Sequence, residues 1–402
     1  MKRLVIVGTG ERCSYAFTKK FYNNFKGRVE RVGITDKNLK RCEYFRDHFC
    51  PGVAIYSDFD VMVDELKPDM ALVTTPDGFH HEYIIRALKR GLDVYSEKPI
   101  TQEEEKCYAI REAERESGKH VTVTFNCRFM PFFVELKKLV SSGVIGKPLS
   151  VNYEYVLNTD HGGDYFKRWH RFMNMSGGMM VHKATHHFDI VNWLLEDEPV
   201  SVSAQGARLY FGNDDRPHGE RCRDCEYSSR CESYLDVSHE IYQGMYIGTE
   251  DVDGYVRDHC SFKSDTDIYD SMSVSVAYKG GALLTYSLNL FNTDEGFNLN
   301  IIGQKGRIEA SSFAIADGKY KYVVRLRDGT VNEISVPIAS GTHMGGDDRM
   351  VEMLFGDGGE DELNQCADSF DGFKSCMIGI AANKSIKEGV RVELTPILDK
   401  LR

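Results

Sequence analysis

The run Leu4-Val5-Ile6-Val7 passes without a break into Gly8-Thr9-Gly10. A short apolar strand that ends in glycines and then opens a helix is the first β-turn-α unit of an open parallel sheet. The first glycine permits the tight turn, and the second lets the backbone approach a phosphate. The helix that follows, expected from about Ser14, offers free amide groups and the positive end of its dipole to a pyrophosphate. Further apolar runs at 29–34, 71–74, 92–95 and 121–125 are separated by helical stretches such as 82–90. Strands alternating with helices predict a parallel sheet covered on both faces.

After a helical segment at 134–140 the pattern changes. The runs 151–156, 271–278, 282–288, 298–302 and 322–326 follow closely, with turns such as Lys279-Gly280-Gly281 between them. This predicts strands of a mostly antiparallel sheet. Long helices are expected at 178–195 and 365–386, and an irregular insertion at 211–265. The chain therefore reads as α/β: a Rossmann domain over 1–125, then an α/β domain over 126–402 with a large open, mostly antiparallel sheet. Its 402 residues suffice for two such domains.

Lys plus Arg number 50 against 61 acidic residues, a net charge of −11. That balance disfavours nucleic acid and anionic membranes as partners. No apolar run reaches the roughly 20 residues that a bilayer requires. Four apolar residues at the N-terminus are too few for a secretory signal. The 11 cysteines are mostly scattered, as in a reducing compartment. A cytoplasmic protein is expected.

Asp36 lies 28 residues after Gly8, at the end of the second strand. A carboxylate there accepts hydrogen bonds from both ribose hydroxyls and repels a 2′-phosphate, which favours NAD over NADP. Lys37 and Arg41 leave some room for NADP, and a helix cap is the plain alternative for Asp36. Thr74-Thr75-Pro76-Asp77 and Ser96-Glu97-Lys98-Pro99 follow the next two strands. Ligands bind beyond the carboxyl ends of such strands.

Gly8-Thr9-Gly10, Thr75-Pro76-Asp77 with His80, Glu97-Lys98-Pro99 and Asn126-Cys127-Arg128-Phe129, in this order, resemble the glucose–fructose oxidoreductase/inositol dehydrogenase family. The likeness continues into Gly177-Gly178 and His186-His187-Phe188-Asp189, and covers nearly the whole chain. It implies a Rossmann domain, a second domain with an open sheet, and homodimers or homotetramers built on that sheet. It also implies Lys98 and His186 as catalytic residues. The cofactor set becomes Gly8, Thr9, Gly10, Glu11, Asp36, Thr75, Pro76, His80, Glu97, Lys98 and Asn126. Where many relatives carry an aspartate four residues before the motif histidine, this chain has His182, followed by Lys183.

On one continuous helix His182, His186, Asp189 and Trp193 would share a face. His182 joins Lys98 and His186 as a catalytic candidate; a metal half-site is the alternative for the two histidines, and His187 reads as structural. Aromatic and cationic groups in Tyr165-Phe166-Lys167-Arg168-Trp169-His170 suit sugar rings and hydroxyls. The substrate set is Arg128, Tyr165, Arg168, His170, Lys183 and Asp189, with His343 a further loop candidate. Cys222, Cys225 and Cys231 form a C-x2-C-x5-C pattern that suits a structural zinc, with Cys260, His218 or His239 as a fourth ligand.

These readings converge on an NAD-dependent oxidoreductase acting on a hydroxyl of a sugar, cyclitol or glycoside. One alternative is a glycosidase that keeps its NAD and works by transient oxidation and elimination. Another is a regulator that binds NAD and turns nothing over.

Overall fold

The computed structural model describes residues 1–18, 27–357 and 359–402. Its first sheet is built from β1 (Lys2–Val7), β2 (Val29–Thr35), β3 (Ala54–Tyr56), β4 (Met70–Val73), β5 (Asp93–Ser96) and β6 (Val121–Val123). These six pair in parallel in the order β6-β5-β4-β1-β2-β3. Leu4, Val5, Ile6, Ala71, Leu72 and Val73 are fully buried, as expected of central strands with helices on both faces. The first helix begins at Glu11 rather than near Ser14.

The second sheet takes β7 (Pro148–Asn158), β8 (Pro199–Ala207), β9 (Ser271–Tyr278), β10 (Leu283–Asn292), β11 (Gly296–Gly303), β12 (Gly306–Ala316), β13 (Lys319–Leu326) and β14 (Val331–Pro337). Two short strands close the chain, β15 (Ala367–Asp368) and β16 (Val392–Glu393). The order is β14-β13-β12-β11-β7-β10-β9-β8-β16. All neighbours are antiparallel except β7 and β10, which run parallel, so the sheet is mixed. Buried and exposed residues alternate along β9 and β10. The inner face packs under helices Ala184–Leu195 and Ser369–Glu388. Elsewhere these strands leave Leu149, Leu283, Ile302, Phe313, Ile315 and Val331 exposed.

Two expectations change. The helix expected over 178–195 is two pieces, Gly178–His182 and Ala184–Leu195, joined at Lys183. There the His186 amide donates to the Lys183 carbonyl, a three-residue step that redirects the axis. The division at residue 125 is also incomplete, because β15 pairs antiparallel with β6 and adds a strand to the first sheet. The insertion holds short helices Glu240–Met245 and Glu250–Asp253. Its Met245 and Tyr246 share a core with Leu4, Ile6, Cys13 and Phe45 of the first domain. Among the described residues no helix is long and apolar enough to cross a membrane.

Candidate active site

The glycine turn comes first. Gly8 has φ +93°, and a Cβ there would fall 2.6 Å from the Thr75 nitrogen. Only glycine allows the β1 and β4 loops to lie together. Thr74 Oγ1 donates to the Gly8 carbonyl at 2.6 Å. Around Gly10 the space is open, with only the Tyr246 hydroxyl 3.9 Å from a built Cβ. Asp36 Oδ2 accepts from the Thr9 amide (2.8 Å) and hydroxyl (3.2 Å), while Oδ1 accepts from the Asn38 amide (2.9 Å). Asp36 thus braces the turn. Arg12 Nη1, Thr75 Oγ1 and Asn126 Oδ1 are buried at the strand ends without a protein partner. Buried polar groups of this kind fit a polar ligand such as a dinucleotide.

Glu97 and Asn126 belong to a buried network that joins the two domains. Arg12 donates to Glu97 (2.9 Å) and Asp347 (2.8 Å), and Asn126 Nδ2 also donates to Asp347 (2.8 Å). His343 Nδ1 lies 2.7 Å from the other Asp347 oxygen. Burial opposes the charge on Asp347, but Arg12 and His343 hold its carboxyl well below the usual range. Arg12 and Asp347 were not singled out from sequence.

Lys98 Nζ donates to the His182 carbonyl at 2.9 Å. Burial pushes its ammonium down to about 8, against the pull of the Asp77 and Glu97 charges. The same burial raises Asp77 above the carboxylate range. Asp77 Oδ2 lies 2.6 Å from His182 Nδ1, so the two share a proton beside Lys98. Burial and the Lys98 charge keep His182 and His186 neutral. His186 Nδ1 sits 3.5 Å from Cys127 Sγ, and its ring lies 6.4 Å from that of His343. Asp77, which the sequence marks only as the end of the Thr75-Pro76-Asp77 motif, opens the helix Asp77–Lys89 and joins the site.

The aromatic segment does come to this place. The His182 ring lies 4.2 Å from His170, 5.5 Å from Tyr165 and 5.6 Å from Trp169. Tyr165 Oη is 3.0 Å from His161 Nε2, and His161 Nδ1 is 2.9 Å from Glu295. Arg168 pairs with Asp164 (2.8 Å), which also takes Arg257 of the insertion (2.8 Å). Lys183 Nζ lies 5.2 Å above the Tyr155 ring. His187 stacks on that ring at 4.0 Å and bonds Tyr286 Oη at 2.6 Å, a structural role as expected.

Other expected residues are engaged elsewhere. Arg128 and Asp189 were placed in the substrate set, yet they grip each other through two bonds of 2.8 and 2.7 Å. The remaining Arg128 nitrogen bonds Asp371 (3.1 Å) and the Asn364 carbonyl (3.0 Å). All three Arg128 nitrogens are thus engaged within the protein. The expected common face of His182, His186, Asp189 and Trp193 is divided, because the helix breaks at Lys183 and Trp193 Nε1 donates to the Leu363 carbonyl. His80, expected at the cofactor, has ring nitrogens 2.7 Å from the Pro99 and Thr75 carbonyls and ties those loops together. The zinc expected at Cys222, Cys225 and Cys231 finds no matching geometry. These thiols are free, and among the described residues no group of three or more His, Cys, Asp or Glu is placed to hold a metal. Ion pairs order the insertion instead: Arg221 bonds Asp258 (3.0 Å) and Arg223 bonds Glu250 (2.7 Å).

Residues 2–125 match the oxidoreductase-family model for an NAD-binding Rossmann fold, and residues 137–394 match that family's C-terminal α/β domain. YteT of Bacillus subtilis (strain 168) is 34% identical over 383 residues, covering 88% of this chain and 89% of its own. The scyllo-inositol 2-dehydrogenase (NAD(+)) of the same organism is 33% identical over 209 residues, 52% of this chain and 58% of its own. A crystal structure of an oxidoreductase from Agrobacterium radiobacter with NAD+, L-tartaric acid and magnesium superposes with a TM-score of 0.70. It is 16% identical, covers 98% of this chain and 99% of its own, and so attests the fold alone. With both domains matched in order, this chain belongs to the glucose–fructose oxidoreductase/inositol dehydrogenase family and is an NAD-binding oxidoreductase of that type.

Proposed function

We propose that the protein oxidises a secondary hydroxyl of a sugar or cyclitol, with NAD rather than NADP as the acceptor. Bound NAD supplies the hydride acceptor. The observation that carries the reading is Lys98: a half-buried amine with a depressed pKa, held by the His182 carbonyl beside the Asp77–His182 pair. Its neutral form takes the hydroxyl proton as the C–H bond breaks. His186, neutral in the same pocket, hydrogen-bonds that oxygen. Tyr165, Arg168, His170 and Lys183 supply a wall of ring faces and donors suited to a polyhydroxylated ring. The likeness to an inositol dehydrogenase supports this substrate class. Incubation of a panel of inositols, aldoses and glycosides with NAD tests it, read by the absorbance of reduced nicotinamide. No turnover across all three classes overturns the reading.

The pH dependence follows from the same amine. A base must be deprotonated to act, so kcat/KM for alcohol oxidation should rise with pH and level off above about 8, the value to which burial pushes Lys98. Ketone reduction needs the protonated amine and should fall over the same range. A flat profile in both directions would remove Lys98 from the proton step.

The Asp77–His182 pair gives a second acid–base group in the pocket, which favours one other reading, a glycosidase that retains NAD. Release of a chromophore from an aryl glycoside without added NAD would select it. The exposed apolar side chains on the second sheet support a homodimer or homotetramer. Equilibrium sedimentation should give a multiple of the chain mass, and a monomer at micromolar concentration would dismiss it.

A further inference from the structure

Arg41 stands on the helix Leu39–Phe49, five residues beyond Asp36, where the adenosine end of a dinucleotide would lie. A free guanidinium at this place is the natural ligand for the 2′-phosphate of NADP. Here it is caged. Its Nε donates to the Met245 carbonyl (3.0 Å), Nη2 to Asp253 (3.1 Å) and Nη1 to Asp36 (3.4 Å). The ring faces of Tyr246 and Tyr255 lie 5.4 and 5.8 Å from its central carbon. Arg41 is only 9% exposed. All of these partners except Asp36 come from the insertion.

The insertion grips the rest of this corner as well. Asn38 Nδ2 donates to the Thr249 carbonyl at 2.9 Å, and Lys40 pairs with Asp251 at 2.6 Å. The Glu11 amide, at the head of the first helix, donates to the Tyr246 hydroxyl at 3.0 Å. Two carboxylates on one guanidinium leave that trio with one net negative charge, and exposed Lys37 beside Asp36 is the cation not held in it. A phosphate brought there meets repulsion and finds the arginine's fork occupied.

We propose that Asp253 is a specificity-determining residue for the cofactor. By holding Arg41 against Asp36, it denies the guanidinium to a 2′-phosphate. The insertion thereby sets the preference for NAD, and Asp36 does not set it alone. This rests on the dinucleotide reading of the site.

The test uses the full-length protein and titrations of NADH and NADPH followed by nicotinamide fluorescence, with no turnover required. The wild type should bind NADH at least tenfold more tightly than NADPH. Asp253→Asn should narrow that ratio at least fivefold, chiefly by tightening NADPH. Asp253→Glu, which keeps the carboxylate, should keep the wild-type ratio. Adding Arg41→Gln to Asp253→Asn should undo the gain. An unchanged ratio in a folded Asp253→Asn variant, or a gain that survives loss of Arg41, overturns the proposal. Should Asp253→Asn fail to fold, Arg41→Gln alone reads the same question: a loss of NADPH affinity of threefold or more would mean the guanidinium is already available and overturn the proposal, whereas a loss under threefold supports the cage. A wild type that binds neither nucleotide instead removes the dinucleotide reading itself.

Discussion

Lys98→Met should lower kcat by about 10²- to 10⁴-fold, the contribution typical of a positioned acid–base group. Methionine keeps the bulk of the stem and removes the amine, so NAD affinity should be nearly unchanged. A proton must leave the hydroxyl as the hydride departs, and Lys98 is the half-buried amine held where two domains meet, 2.9 Å from the carbonyl of a second-domain residue. His186→Asn should also lower kcat. If the two residues act on one oxygen, the double variant should lose less than the product of the single losses. Near-normal kcat in Lys98→Met would refute the assignment and move the proton step to His182 and Lys183. The measurement is steady-state kinetics on the best substrate of the panel, with NAD affinity read separately.

Asp189→Leu should destabilise the protein by about 2–3 kcal/mol, the order of cost for buried donors left without their acceptor, since Nε and Nη2 of Arg128 lose their bonds while Nη1 keeps Asp371. The Arg128 and Asp189 side chains are 2% and 1% exposed. The guanidinium lies 5.8 Å from the Phe125 ring and 5.9 Å from that of Trp193. Urea denaturation of both proteins measures the difference. Adding Arg128→Met should recover much of the loss, since an apolar pair of similar volume can replace a buried ion pair. A change below about 1 kcal/mol, within the range of a surface substitution, would deny the pair its structural role.

The first sheet was legible because β1 and β4 carry unbroken apolar runs closed by a glycine and by a Thr-Pro step, while β5 is marked by the Glu-Lys-Pro that follows it. β3 was not, since Ala54–Tyr56 is three residues long and none is fully buried. β8, β12 and β14 also escaped notice. The first carries small residues along its second half, and the other two leave much of their length exposed. At the site, Lys98 and His186 stood in recognisable motifs. Their electrostatic partners did not: Asp77 and His182 are 105 residues apart, and Arg12 and Asp347 are 335 apart. Nothing local marks such pairs. Arg128 and Asp189 illustrate the converse, two charges beside motifs that prove to satisfy each other. The cysteine spacing in the insertion likewise pointed to a metal, while the ordering is carried by arginines paired with distant carboxylates.

The strand that β15 adds beside β6 has a bearing on synthesis. A chain emerging from the ribosome completes β1 to β6 early, but the last strand of that sheet arrives only with Ala367 and Asp368. At roughly 5–20 residues per second, the interval between the two is on the order of 10–50 seconds. Throughout it, the β6 edge presents its amide and carbonyl groups unpaired. The NAD-binding domain is therefore made well before the strand that completes its sheet.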